Sequence, residues 1–315
     1  MIGAGYWGKN HIRTLNKLGA LGGIVEYNKE TLNRFSRQYP KVSVFTSLDE
    51  ALKEQHFSGF TVATPAETHY AIGKKILEAK KHILIEKPFT LNIEHAEELV
   101  QLGKKNNLNI MVGHVLLFHP AIIKIKELIQ KGKIGKLQYI YSNRLNLGQV
   151  RTEENVLWSL APHDISIFQY FTESYPNLIN AHGSAFLQKG IHDSTITYLK
   201  YPNGVDGHIF TSWLHPFKEH RVVVIGSEAI LTFEQSSEGE SLKLYSKKFD
   251  MTNGVPKKMD GPIEMVYYEQ KMPLTEELIY FTKHLGSKTP VIANGKHALE
   301  VTKILVWASK QLKVE

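Results

Sequence analysis

The sequence predicts a doubly wound α/β domain followed by an α+β domain, and three observations carry that expectation. Short apolar runs alternate with amphipathic helical patterns through residue 118. Beyond it the character changes to a succession of β-like runs. The length of 315 residues also exceeds what a single core usually organises. The expected domains are residues 1–118, with a parallel sheet, and 119–315, with a large open, mostly antiparallel sheet.

The first helix follows a glycine-rich opening, where WGKNHIRTLNKLG places Ile12, Leu15 and Leu18 on one side. Strands are expected at GGIVEY (22–27), VSVF (42–45), GFTVAT (59–64), HILIE (82–86) and NIMVGH (109–114). Between them, THYAIGKKILEAKK (68–81) puts Ile72, Ile76 and Leu77 on one face. The next helix, NIEHAEELVQLGKKNN (92–107), opens on Asn92, a residue type that caps helix N-termini. Strand–helix alternation at this spacing argues for a parallel sheet covered on both faces. After residue 118 a helix is expected over 120–132, ending at Gly132, and a second over APHDISIFQYF (161–171). The β-like runs are 136–147, 193–201, 204–214, 220–226, 229–235 and 241–246, several separated by turns such as YPNG. Two helices close the chain, at about 274–286 and 296–313.

Composition narrows the function. Hydrophobic residues make up 42% and charged residues 22%, ordinary for a globular protein. No apolar run approaches 18 residues and no leader pattern is present, so neither a membrane span nor export is expected, and a cytoplasmic location is. The chain has no cysteine, which removes disulfides and thiolate metal sites. The net charge is +7, but its lysines scatter over helix faces such as KKILEAKK, so no nucleic-acid partner is expected. His69, His114, His119, His192 and His215 fall on different elements without paired ligand spacing, so no metal is expected either.

The opening GAGYWG is a G-x-G-x-x-G at Gly3, Gly5 and Gly8, with Tyr6 and Trp7 between the last two glycines. Such a turn lets backbone approach a pyrophosphate while the following helix N-terminus offers unpaired N–H donors. Glu26 ends the next strand, where a carboxylate accepts ribose hydroxyls and repels a 2′-phosphate, favouring NAD over NADP. Only Met1 and Ile2 precede Gly3, whereas a first central strand has about four to six residues. The expectation is a shortened first strand or a late assigned start. Thr64 and Pro65 end one strand, and Glu86 and Lys87 end the next, before Pro88. Strand C-termini line the ligand crevice of such a sheet, so Glu86 and Lys87 are expected to point at the cofactor. Pro88 biases Lys87 away from helical dihedrals and holds it on a stiff turn.

GAGYWG, ATPAETH, EKP and MVGHVLLFHPAI stand in the order and spacing of the Gfo/Idh/MocA oxidoreductases, and the chain resembles that family over nearly its whole length. WSLAPHDIS and SWLHPFKEHRVVVIGSEA in the second half are similar to it too. The resemblance implies a Rossmann domain binding NAD through Gly3, Gly5, Tyr6, Trp7, Gly8, Glu26, Thr64, Pro65, His69, Glu86 and Lys87. It also implies Lys87 and His163 as catalytic residues, with histidine suited to be a general base and lysine able to polarise the hydroxyl or relay its proton. His163 as base is preferred, and the reverse assignment stays open. Where many members carry Asp three residues after this histidine, Ser166 stands here, and Asp164 lies about 100° around the helix.

Arg144, Asn146 and Arg151 lead along the chain to His163 and are candidate substrate contacts, because arginine forks suit phosphates and carboxylates. Surface ion pairs are the competing role for both arginines. The resemblance is to the branch acting on UDP-sugars, implying oxidation of the C3 hydroxyl of a UDP-amino sugar. The alternatives are the corresponding uronate, a free sugar or a polyol. Lys218 and Arg221 are read either as diphosphate contacts or as sheet-edge residues. The resemblance further implies a homodimer or homotetramer through an open sheet face, expected to expose Ile209, Val222, Val224 and Leu231.

Overall fold

The computed structural model describes residues 1–236, 241–286 and 288–312. It divides into two compact units, residues Met1–Phe118 with Lys271–Lys303, and residues His119–Gln270 with Ile304–Glu315.

In chain order the first stretch runs α1 (Gly8–Lys17), β1 (Gly23–Val25), α2 (Lys29–Gln38), β2 (Ser43–Phe45), α3 (Leu48–Ala51), β3 (Gly59–Val62), α4 (His69–Glu78), β4 (His82–Ile85), α5 (Ile93–Lys105) and β5 (Ile110–Val112). Asparagine side chains cap two of these helices, Asn28 accepting from Thr31 N and Asn92 from His95 N. All the strand pairs are parallel, β1 with β2, and β3 with β4 and β4 with β5. Ile2 bridges Val25 on one side and Val62 on the other, so the short first strand joins the two halves of the sheet. The buried Met1 amine donates to Gly23 O at 2.9 Å, and burial pushes it down to about 5.

The second stretch begins with α6 (Pro120–Gln130), β6 (Leu137–Leu147) and α7 (Val156–Thr172). It continues through β7 (Leu178–Ser184), β8 (Ser194–Lys200), β9 (Asp206–Ser212), β10 (Leu214–Gly226), β11 (Ile230–Glu234), β12 (Ser241–Tyr245), β13 (Lys248–Asp250), β14 (Lys257–Met259) and β15 (Ile263–Met265). Eight strands form one sheet in the order β15-β12-β11-β10-β6-β9-β8-β7. Every pair in it is antiparallel except β6 with β9. The fold class is therefore the expected one.

Three sequence expectations change. The helix expected at 161–171 starts five residues earlier, at Val156, because Asn155 caps it by accepting from Trp158 N and the chain runs helically through Pro162. Proline is favoured at the first helical turn, so Pro162 falsely marks a start. Ile209, Val222, Val224 and Leu231 are not on an open face: they are 0–3% exposed, on the face packed by helices, with α7 against β6, β8 and β9. The opposite face carries the alternate residues, among them Tyr141 stacked on His208 at 5.2 Å. Finally, residues 119–315 are not one continuous unit.

The last two helices are α8 (Pro273–Lys283) and α9 (Gly295–Ser309). Residues 271–303 return to the first unit, where Val112 N donates to Ala293 O at 2.9 Å and Phe118 packs on Tyr280 at 5.3 Å. Lys313, the end of the expected last helix, lies outside the described residues. No helix among the described residues is long and apolar enough to cross a membrane.

Candidate active site

The first unit assembles a dinucleotide cradle at the C-terminal end of its parallel sheet. Gly3 has φ +83°, and a Cβ there would sit 2.7 Å from Ala63 O. A Cβ on Gly8 would sit 2.0 Å from Gly3 O, so the turn closes this tightly only on glycine. The first turn of α1 receives no side-chain cap and contains no acidic residue, which leaves its N–H groups and dipole available to an anion. Substituting Gly8 by Ala should weaken NAD binding at least about tenfold, or about 1.4 kcal/mol, by titration calorimetry. An unchanged affinity would mean that the phosphates bind elsewhere.

Glu26 buttresses the turn. Its carboxylate accepts from Ala4 N at 2.8 Å and from Asn28 N at 2.9 Å. It lines an open cavity of about 490 Å³ together with Ala4, Gly5, Tyr6, Lys9 and Arg34. Each oxygen keeps a lone pair for a ribose hydroxyl. Tyr6 is 84% exposed beside this cavity, whereas Trp7, also exposed, gives its indole N–H to Glu86.

Glu86 is buried, and its Oε1 accepts from Trp7 Nε1 and from His11 Nε2, the latter at 2.7 Å. It ties the end of β4 to the start of α1. Lys87 follows, half-buried, and its peptide bond to Pro88 is cis. His69 is also a tie, with Nδ1 2.8 Å from Pro88 O and Nε2 2.9 Å from Thr64 O. Burial holds its pKa below the ordinary histidine value, so the ring is neutral and only one nitrogen donates at a time. Thr64 meets Thr68 through their hydroxyls at 2.7 Å, and Pro65 precedes the turn into α4. Burial, His297 and Lys87 together push His114 well down.

Two residues here escaped the sequence reading. His11 lies four residues after Trp7, hence on the same side of α1, which was a usable signal. Glu277 on α8 is wholly buried, and it lies four residues before buried Phe281, so helical spacing already put it on the core face.

In the second unit, Arg144 is 5% exposed and Asp164 wholly buried. Arg144 Nε donates to Asp164 Oδ2 at 2.6 Å and Nη2 donates to Oδ1 at 3.1 Å, pinning α7 to β6. The fork expected to grip substrate is thus spent on an internal carboxylate, which neither role weighed for Arg144 anticipated. Its Nη1 faces His220 Nδ1 at 3.3 Å. Burial first, then Arg144 and Lys218, push His220 down to about 3. Next to Asp164 on α7, His163 is half-buried. Ser166 gives its hydroxyl to His163 O at 2.7 Å, a bond to the helix backbone. Asn146 is half-buried with a side-chain carbonyl that meets no donor, while Arg151 is exposed. Arg221 pairs with Glu234 at 2.6 Å, a sheet role. His119 caps α6 by accepting from Ala121 N at 3.1 Å. Among the described residues no three His, Asp or Glu side chains gather as a metal site.

Lys87 belongs to the first unit and His163 to the second. The chain matches a family model described as an oxidoreductase family with an NAD-binding Rossmann fold over residues 1–114, and a GFO/IDH/MocA C-terminal domain over 122–232. It is 24% identical over 298 residues to the UDP-N-acetylglucosamine 3-dehydrogenase of Acidithiobacillus ferrooxidans, covering 94% of this chain and 90% of that protein. The solved structure of a protein of that name and organism superposes with a TM-score of 0.85 at 22% identity, covering 99% and 96% of the two chains. A scyllo-inositol 2-dehydrogenase (NAD(+)) of Bacillus subtilis is 26% identical over 190 residues, covering 57% of this chain and 56% of its own. An oxidoreductase of Agrobacterium radiobacter, solved with NAD+, L-tartaric acid and magnesium, superposes with a TM-score of 0.82 at 15% identity, covering 98% and 94%.

Proposed function

From the premise that the chain belongs to the GFO/IDH/MocA oxidoreductase family, in both its NAD-binding Rossmann domain and its C-terminal domain, we propose that it oxidises the C3 hydroxyl of a UDP-amino sugar, UDP-N-acetylglucosamine first among candidates. The observation that carries the chemistry is the glycine cradle with Glu26 at one edge and half-buried Lys87 just past the end of β4 in the same parallel sheet. The substrate class is supported by similarity over most of both chains to a UDP-N-acetylglucosamine 3-dehydrogenase.

The residues of the first unit fit NAD. The uncapped start of α1 takes the pyrophosphate, and Glu26 takes the adenosine ribose while its charge disfavours a 2′-phosphate. When bound, the nicotinamide accepts a hydride from the carbinol carbon. Lys87 then orients and polarises the hydroxyl, and His163 removes its proton, with imidazole matched to neutral pH. On the substrate side, Asn146 and Arg151 remain as contacts after Arg144 is committed to Asp164. Association into a homodimer or homotetramer through the uncovered sheet face completes the reading.

The deciding experiment follows absorbance of reduced cofactor with UDP-N-acetylglucosamine, its uronate, free sugars and inositols. Turnover with UDP-N-acetylglucosamine in preference to the others, using NAD over NADP, is the expected result. A preference for an inositol, in line with the scyllo-inositol 2-dehydrogenase similarity, would replace the nucleotide-sugar reading with a polyol one.

A further inference from the structure

Glu86 sits in a closed pocket. Gly113 leaves room for it, since a Cβ there would lie 2.8 Å from Oε2, while Trp7 and His11 cover Oε1. Glu277 lies on α8, a helix that packs against α1, close enough to Glu86 for their charges to interact. Glu277 is wholly buried, and neither carboxyl oxygen has a hydrogen-bond partner. Two buried carboxylates whose charges interact cannot both ionise cheaply, because each loses hydration and repels the other. Trp7 and His11 already donate to Glu86, so Glu86 keeps the charge and Glu277 carries the proton.

We propose that Glu277 is a positioning residue for the reaction: by staying protonated beside Glu86 it keeps the Glu86–His11–Trp7 tie at one negative charge, and so holds the turn that presents Lys87. This rests on the reading of Lys87 above. Burial and the adjacent Glu86 hold Glu277 well above the ordinary carboxylate range, in agreement. The titratable group that acts on it is Glu86 at the end of β4, whose carboxylate His11 on α1 holds in turn. The other charged side chains of α1, Lys9, Arg13 and Lys17, are exposed. On alkaline titration Glu277 ionises, the two carboxylates repel, and the tie to α1 loosens.

The test compares the full wild-type chain with Glu277→Gln, which keeps the shape and cannot ionise. Difference infrared spectra at neutral pH should contain a protonated-carboxyl band that the variant lacks, and the absence of that band from wild type would overturn the proposal. The alkaline fall in kcat/KM should shift upward by at least about one pH unit in the variant, a tenfold change in proton affinity. Superimposable profiles would equally overturn it. If Glu277→Gln fails to fold, as judged by circular dichroism, Glu277→Leu replaces it with the same two expectations. If wild type oxidises no sugar, the functional reading fails, and the infrared band alone then decides Glu277.

Discussion

Replacing Lys87 by Met should lower turnover about 10²–10⁴-fold, the range that a positioned proton-handling group supplies, while NAD affinity stays within about twofold of wild type. The substitution keeps the length and apolar stem of a half-buried side chain and removes only the ammonium. The groups that hold the dinucleotide cradle, Gly3, Gly8 and Glu26, make their contacts without Lys87. Single-turnover kinetics with the best sugar from the substrate screen, together with calorimetric NAD titration, separate the two effects. If NAD binding falls along with turnover, the lysine supports the cofactor and the proton chemistry passes to another group. His163→Asn is the companion variant: loss of the acidic limb of the rate profile identifies histidine as base, and its retention reverses the two roles.

Removing one partner of the Arg144–Asp164 pair should cost the fold about 3–5 kcal/mol, because the survivor is left as an uncompensated buried charge. Both side chains are nearly or wholly out of water, and the fork is bidentate. Urea unfolding of Asp164→Asn measures it. The double variant Arg144→Met with Asp164→Leu should recover most of the loss, since shape is kept and no charge remains. Equal destabilisation in the double variant would mean that packing, and not the ion pair, is what the helix needs. The pair also governs an acid response. His220 stays neutral in the fold down to about 3, whereas in the unfolded chain it takes a proton near the ordinary 6.5. Its contribution to stability is therefore full above about 6.5 and declines as pH falls toward 3. Burial is the largest cause of that shift and the Arg144 cation the next, so Arg144→Met should make the decline shallower.

Much of the first unit was legible along the chain. Asn92 announces a helix start because its short side chain reaches the backbone three residues on, as it does at His95 N. The apolar run at 83–85 is a strand buried on both sides of a parallel sheet, where no polar residue needs to alternate. The tight turn at Gly3 and Gly8 was legible because part of its constraint is local, a left-handed φ at Gly3 and a Gly8 Cβ that would meet Gly3 O. The internal partners of Glu86 and Arg144 were not legible, because strand position gives only the region a side chain occupies. Which partner takes its hydrogen bonds depends on residues distant in sequence.

The sequence by itself determined the two-part architecture, the glycine cradle, Glu26 at the end of β1 and the lysine before a proline, all properties of periodicity, backbone freedom and strand polarity. The tertiary structure decided that residues 271–303 return to the first unit, that Glu86 binds Trp7 and His11 with Glu277 behind it, and that Arg144 closes on Asp164. The Glu86–His11 and Arg144–Asp164 contacts are pairings of buried polar groups, each favoured because an unpaired charge away from water is costly. No short stretch of chain contains both members of the Glu86–His11 or Arg144–Asp164 pair.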